Sequence, residues 1–123
     1  MKKFISSLFI LFSIGFTSCF AQVDIVGRWE VFRTEKPNQQ TKFKREKYFV
    51  FRKDGTFIGG KINSDKIKYG TWRYLETTKY LLIKGDEEDK DDGYWKVESL
   101  HGLLGGNMVL MKDSVFVHLK KIN

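Results

Sequence analysis

Few side chains in this sequence could perform acid–base or nucleophilic chemistry. It contains two histidines, His101 and His118, and a single cysteine, Cys19. Neither a Gly-x-Ser-x-Gly nucleophile turn nor a His-Glu-x-x-His zinc motif occurs. Because catalysis requires several polar groups that converge on one point, the sequence predicts a protein that is not an enzyme. It predicts no catalytic residue, no metal site and no cofactor.

Two charged runs are the other candidates for chemistry. Residues 86–92 gather carboxylates of the kind that bind calcium, but their spacing does not match an EF-hand loop and Lys90 interrupts them. Residues 42–47 place Phe43 among basic side chains, as grooves for single-stranded nucleic acid do. The net charge is +7, but lysines are spread beside acids along the chain. We therefore interpret both runs as solvated surface, the acidic one as a hairpin tip.

The N-terminal residues predict export. Lys2 and Lys3 precede the apolar stretch 4–16, a pattern typical of a secretory signal and short for a membrane span. We predict a signal peptide over residues 1–21, followed by one domain over residues 22–123 that is periplasmic or secreted. Since an exported protein rarely meets nucleic acid, no nucleic-acid partner is predicted.

The cleavage site has two interpretations. Small side chains at Cys19 and Ala21 suit cleavage before Gln22, which we favour because the first strand follows Cys19 too closely for a membrane tether. Residues 16–19 also resemble a lipobox, and processing there would leave a lipid on Cys19 that anchors the protein to the envelope membrane. The first route leaves no cysteine in the domain, so its core alone must stabilise it.

The elements that would position any site are strands. After the signal, short aromatic and β-branched runs recur, broken by Gly, Asp and Asn. We expect eight strands, over residues 26–34, 43–53, 56–62, 67–75, 79–84, 93–100, 107–112 and 114–121. Turns at Asp54-Gly55, with positive φ angles, and at Lys112-Asp113 indicate antiparallel hairpins. The prediction is all-β, an eight-stranded up-and-down antiparallel barrel, because closure removes exposed edges. A two-sheet sandwich is the alternative.

The first strand carries a family resemblance. Gly27-Arg28-Trp29 resembles the Gly-x-Trp signature of lipocalins and of the short bacterial lipocalin-like domain proteins. Later segments follow the order of that class: Asp54-Gly55, Tyr69-Gly70-Thr71-Trp72, Trp95-Lys96-Val97 and Val117-His118-Leu119-Lys120. The chain is shorter than full-length lipocalins and lacks their C-terminal helix pattern. The resemblance also implies a late arginine over Trp29, but none follows Arg73, so Lys120 or Lys121 is the candidate substitute.

The resemblance implies a barrel interior that is either filled by side chains or holds one small ligand. Strand alternation and bulk select the candidate inward residues, which are also the candidate ligand-binding residues. They are Trp29, Phe49, Phe51, Phe57, Trp72, Tyr74, Trp95 and Val97. The facing of residues 48–51 stays open, because both sides of that strand are apolar. The bulk of this set favours a largely filled interior with a shallow cup at one end.

Two functions are consistent with such a barrel. The first is a binding module that holds a small apolar ligand against the aromatic interior. The second is an envelope interaction protein or inhibitor with a solid barrel, which binds a protein partner through its loops. The loops for that second function would be residues 36–47 and 86–92. Membrane contact is predicted only if Cys19 carries a lipid.

Overall fold

Eight strands joined in chain order make up the fold in the computed structural model, which describes residues 24–122. They are β1 (Gly27–Glu35), β2 (Lys47–Phe51), β3 (Thr56–Lys61), β4 (Lys68–Leu75), β5 (Tyr80–Gly85), β6 (Gly93–Leu100), β7 (Asn107–Lys112) and β8 (Val115–Lys121). Each strand pairs antiparallel with the next, and β8 pairs with β1, so the sheet closes. The predicted up-and-down barrel is confirmed and the sandwich is wrong. Within this part of the chain, no helix has the length and apolar character needed to cross a membrane.

Strand β2 is shorter than predicted. Residues 43–46 belong to the connection that leads into it, whereas the other seven strands agree with the prediction to within one residue at each end. In that connection, Arg45 donates from Nε to the carboxylate of Glu30 at 2.8 Å, and the Arg33 guanidinium lies 5.3 Å from the centre of the Phe43 ring. These contacts fasten the connection to β1, with which it forms one antiparallel bridge, between Thr34 and Lys42, and no longer ladder.

The inner face of β2 is the one that carries Phe49 and Phe51, which are both buried. Val50 lies on the outer face and is half-buried. Lys47 shares the inner face, but it lies at the end of the barrel, where its ammonium is 2.9 Å from a carboxylate oxygen of Asp91. The sequence left open which side of β2 faces the interior. Phe49 and Phe51 can share the inner face with Lys47 because Lys47 lies at the end of the barrel, where a charged side chain reaches the rim.

The three tryptophans lie in the interior, with exposed fractions of 0% for Trp29, 5% for Trp72 and 9% for Trp95. Each indole N–H donates to a backbone carbonyl at 2.8 Å, as a buried donor must if its desolvation is to be compensated. The acceptors are the carbonyls of Ile25, Arg52 and Asp91. Each indole therefore fixes a segment outside the strands as well as filling the core.

Lys121 takes the position over Trp29 that the resemblance assigns to an arginine. Its Nζ lies 5.6 Å from the centre of the Trp29 ring and donates to the carbonyl of Gly102 at 2.6 Å. Burial lowers the pKa of Lys121, and the negative charge of Asp24 opposes this only in part. Of the two lysines considered from the sequence, Lys121 is the one that packs on this indole.

Two β-bulges change which residues face inward. The pairing of β1 with β8 shifts between Val31 and Arg33, and that of β6 with β7 shifts between Val97 and Ser99. After the first bulge, Thr34 takes the inner face. After the second, Leu100 packs against the core, paired with buried Met108. A bulge adds one residue to one strand, so strict alternation fails beyond it.

The two predicted hairpin turns differ from expectation in detail. In the Asp54-Gly55 turn, Gly55 alone has a positive φ, of 89°. The last hairpin turns one residue later than predicted, with positive φ angles of 52° at Asp113 and 65° at Ser114. Positive φ at both central residues matches the twist of the flanking strands, so this turn fixes the register of β7 against β8.

Candidate functional site

The two ends of the barrel differ. The connections at residues 52–55, 76–79 and 101–106 lie at one end, together with Asp24, which packs against Gly102. We call it the closed end. The connections at residues 36–46, 62–67, 86–92 and 113–114 lie at the other, the open end. A cavity of about 300 Å³ opens there, and it is the candidate site.

Aromatic packing fills the barrel towards the closed end. The Phe51 ring meets the Trp72 ring edge to face, with 5.4 Å between centres, and lies 6.1 Å from the Phe57 ring. Trp29 is fully buried beside them in the same core cluster. Interiors are close-packed, so these rings leave no room for a ligand at this end.

The wall of the cavity is apolar and comes from β1, β2, β5, β6, β7 and β8. It is formed by Val31, Phe49, Ile83, Trp95, Leu110, Val115, Val117 and Leu119. Six of these side chains belong to the buried core, which shows that the wall is continuous with the barrel interior. Such a surface favours apolar ligand atoms over water.

The rim of the cavity is polar and contains both signs of charge. It is formed by Thr34, Lys36, Glu46, Lys47, Lys90, Asp91, Lys112 and Asp113. Lys47 and Asp91 form an ion pair across it. An apolar wall below a ring of charges can bury the apolar part of a ligand while a polar group stays near water.

The eight predicted ligand-binding residues are divided by the structure. Phe49 and Trp95 line the cavity. Five others are buried in the core and do not line it: Trp29, Phe51, Phe57, Trp72 and Val97. Tyr74 is half-buried against that core, and burial together with the charge of Glu76 raises the pKa of its hydroxyl. Contact between any of them and a ligand stays a prediction.

Sequence reasoning passed over the part of the wall that β7 and β8 provide. Val115, Val117 and Leu119 alternate on the inner face of β8, and Leu110 with Lys112 do so on β7. The alternation of β8 is visible in the sequence. Side-chain bulk does not single out these positions, because space in a barrel is left where the inward side chains are small.

The acidic loop, residues 86–92, is a hairpin tip whose residues 86–90 are exposed, as predicted, but its far end is also anchored to the barrel. Lys68 lies 2.7 Å from the carboxylate of Asp92 and 3.3 Å from that of Asp89. Asp92 also accepts the backbone N–H of Gly85 at 3.1 Å. Over residues 24–122, no group of three or more side chains is placed to bind a metal. The carboxylates of this loop serve to hold it at the rim of the cavity.

These ion pairs shift two pKa values in opposite directions. Burial disfavours the charged form of Lys68, but the hydrogen bonds and charges of Asp92 and Asp89 outweigh it and raise its pKa. Burial likewise disfavours the carboxylate of Asp89, yet the Lys90 N–H and the Lys68 ammonium outweigh it and lower its pKa. Both groups are therefore held charged near neutral pH.

We expect the acidic loop to open in acid. A carboxyl group with a lowered folded-state pKa stabilises the fold above its ordinary pKa, 3.8 for Asp89, and loses that contribution as the pH falls through the folded value. Amide protection at Lys90, which donates to the Asp89 carboxylate, should therefore fall as the pH drops below about 4. NMR hydrogen exchange measures it, with the Trp72 amide, bonded to the Gly55 carbonyl at the closed end, as the internal control. Equal protection of Lys90 at about pH 5 and about pH 2 would contradict this assignment.

Neither histidine lies at the cavity. His118 is on the outer face of β8, where its Nε2 is 3.6 Å from the Glu35 carboxylate and its ring meets Phe32 edge to face. His101 is exposed in the connection of the closed end. Both histidines are thus separated from the space that a small molecule could enter.

Comparisons with known proteins agree on the fold. No protein-family model matches the sequence, and no curated protein matches it. A lipocalin-like protein from Bacteroides uniformis is similar in structure, with a TM-score of 0.67, 13% identity, and coverage of 80% of this chain and 99% of that one. An uncharacterized protein from Bacteroides eggerthii gives a TM-score of 0.62 and 15% identity, with 78% and 98% covered. The predicted lipocalin-like fold is confirmed. The predicted signal peptide and Cys19 lie outside the described residues.

Proposed function

We propose that this lipocalin-like barrel is a binding module that holds one small apolar molecule in the cavity at its open end. The observation that carries the proposal is the cavity of about 300 Å³ with its apolar wall. Small-molecule sites occupy roughly 300–1,000 Å³, so this one suits a ligand of modest size. Apolar ligand surface that is buried against Phe49, Trp95 and Leu110 contributes about 25 cal/mol of favourable free energy for each Å².

The cavity also favours this function over a loop-mediated interaction protein. A solid barrel would leave no such space above the aromatic core. Both loops that would bind a protein partner are instead fastened to the barrel, residues 36–46 through Arg45 and Glu30 and the acidic loop through Lys68. They shape the rim of the cavity, which is the role that the proposal gives them.

Filling the cavity should abolish binding of a neutral apolar dye. N-phenyl-1-naphthylamine, whose fluorescence rises in apolar surroundings, should bind the unaltered protein. Val117→Phe places a ring in the cavity from β8, and we expect it to weaken dye binding by at least about tenfold, because the site cannot hold both groups. Fluorescence titration measures the dissociation constant.

The matched control is Val109→Phe, which makes the same change on the outer face of the neighbouring strand β7. Val109 is half-buried and does not line the cavity, so dye affinity should stay unchanged. If no dye binds to the unaltered protein, or if both variants weaken it equally, the cavity is not the binding site.

We propose further that the protein works outside the cytoplasm, in the periplasm or the medium, or anchored by a lipid on Cys19. The signal-like N-terminus supports this location. Asp24, the first described residue, lies at the closed end, opposite the cavity. The intact mass of the exported protein tests it: a chain that begins at Gln22 indicates the soluble form, a diacylated Cys19 the anchored form, and a retained Met1 contradicts export.

A further inference from the structure

Lys112 lies where the apolar wall of the cavity meets its rim. It shares the inward face of β7 with Met108 and Leu110, both buried, and it lines the cavity. Its Nζ is 5.6 Å from the centre of the Trp95 ring, which forms part of the wall. Gly93 makes room for this ammonium, since a Cβ added there would lie 3.0 Å from Nζ. The charge is therefore placed beside apolar surface, on a half-buried side chain.

Within the described residues, Lys112 forms no ion pair. The other half-buried lysines at the open end do, Lys47 with Asp91 at 2.9 Å and Lys68 with Asp92 at 2.7 Å. Lys112 donates only to the backbone carbonyl of Asp92. An ammonium has three donors, and its burial is costly until an opposite charge compensates it. Lys112 thus presents a positive charge and free N–H donors to whatever enters the cavity.

The remaining charges of the rim do not supply that compensation. Lys47 and Asp91 neutralise each other in their ion pair. The charges left on the rim are Lys36, Lys90 and Lys112 against Glu46 and Asp113. Among the side chains that line the cavity, this leaves one positive charge in excess. Asp86, Glu87 and Glu88 are exposed on the acidic loop and do not line the cavity. Because excess positive charge attracts anions, the lining favours an anionic group over a cationic one.

We propose that the cavity takes an amphipathic molecule with one anionic group, whose apolar part contacts the wall while the anionic group pairs with Lys112. This inference rests on the proposed function and specifies the class of ligand. Octanoate joins an eight-carbon chain to a single carboxylate and is small enough for a cavity of about 300 Å³.

The experiment compares three eight-carbon compounds that differ in head group: octanoate, octan-1-ol and octylammonium. Each displaces N-phenyl-1-naphthylamine from the purified protein, and the loss of dye fluorescence gives its dissociation constant. We expect octanoate to bind roughly 10–100-fold more tightly than octan-1-ol, because a charge-assisted pair in a partly desolvated site contributes that much. Octylammonium should bind most weakly.

Variants at Lys112 test whether this residue causes the preference for an anionic head group. Lys112→Met keeps the length of the side chain and should bring octanoate to the affinity of octan-1-ol measured on the same variant. Lys112→Arg keeps the charge and should keep the preference. Lys120→Met is the control, since Lys120 is exposed on β8 and does not line the cavity. It should behave as the unaltered protein.

The outcomes separate this inference from the function on which it rests. If the dye and octan-1-ol bind but octanoate is not preferred, or if Lys112→Met keeps the preference, the anionic ligand is wrong and the apolar site stands. If neither the dye nor any of the three compounds binds, both proposals are overturned. Should Lys112→Met fail to fold, the three-compound series on the unaltered protein still decides, because equal affinities contradict the proposal.

Discussion

Replacing Gly70 by alanine should destabilise the barrel by about 3 kcal/mol, although a single methyl group is added. A Cβ at this position would lie 2.5 Å from a ring carbon of Phe57 and 2.8 Å from the Cα of Gly85, and would also overlap the carbonyl of Lys84. Two of these obstacles are backbone atoms of the paired strand β5, which cannot turn aside as a flexible side chain would. The added volume must therefore separate β4 from β5 or displace the Phe57 ring.

The matched control is Gly59→Ala on β3. A Cβ there would approach the Phe49 ring at 3.1 Å and the Tyr48 carbonyl at 3.2 Å, so small shifts can accommodate it. Urea unfolding of the two variants measures the difference. Equal unfolding midpoints for Gly70→Ala and Gly59→Ala would show that the close contact of Phe57 with the β4 backbone does not make Gly70 necessary for stability. A loss of about 3 kcal/mol would lower the melting temperature by roughly 15 °C in a domain of this size.

Gly70 also illustrates what the sequence allowed. The alternation of Gly70, Trp72 and Tyr74 placed all three on the inner face, and the structure puts them there. Alternation and tight turns were sufficient for strand order, because hairpin pairing depends on local patterns. Closure was argued instead from the exposed edges that an open sheet would leave. They did not reveal that the Phe57 ring occupies the space above Gly70, since this contact joins two strands whose register no local pattern determines.

The cavity could be predicted only in part. A shallow cup at one end was expected, but its position depends on how far along the axis each inward residue lies. Phe49 and Trp95 are at the open end, whereas Phe51 and Trp72 lie below them. The bulge between Val31 and Arg33 adds a second difficulty. Beyond it the inward residues of β1 have even numbers in place of odd ones, and no sequence motif indicates the change. Depth and parity are set by the closed sheet as a whole.

The charged rim was hidden for a related reason. Residues 86–92 have the composition of a solvated turn, and nothing local shows that Lys47, Lys68 and Lys112 approach them from three other strands. Ion pairs between distant segments require the register of every strand in between. The sequence therefore indicated the type of fold, and the folded sheet was needed to bring the rim together.

Among the three tryptophans, replacing Trp29 should have the largest effect on stability, and replacing Trp95 should have the largest effect on binding. Trp29 is fully buried, and its removal leaves a cavity at the closed end, an unpaired Ile25 carbonyl and a Lys121 ammonium without its ring. We expect Trp29→Ala to cost about 3–5 kcal/mol, a large share of the stability of a small domain. Denaturant unfolding followed by far-ultraviolet circular dichroism measures this loss.

The two conservative variants Trp29→Phe and Trp95→Phe distinguish a residue of the core from a residue of the cavity wall. Trp95 lines the cavity, so its smaller ring should weaken N-phenyl-1-naphthylamine several-fold, whereas Trp29→Phe should leave the dye affinity unchanged while lowering the free energy of unfolding. If Trp29→Phe also weakens the dye, the ligand reaches deeper than the cavity described here. The aromatic core would then rearrange to admit the ligand, and Phe51 and Trp72 would not form the floor of the cavity. The expected result follows from the edge-to-face packing of Phe51 and Trp72, with 5.4 Å between ring centres, which separates Trp29 from Trp95 and the cavity.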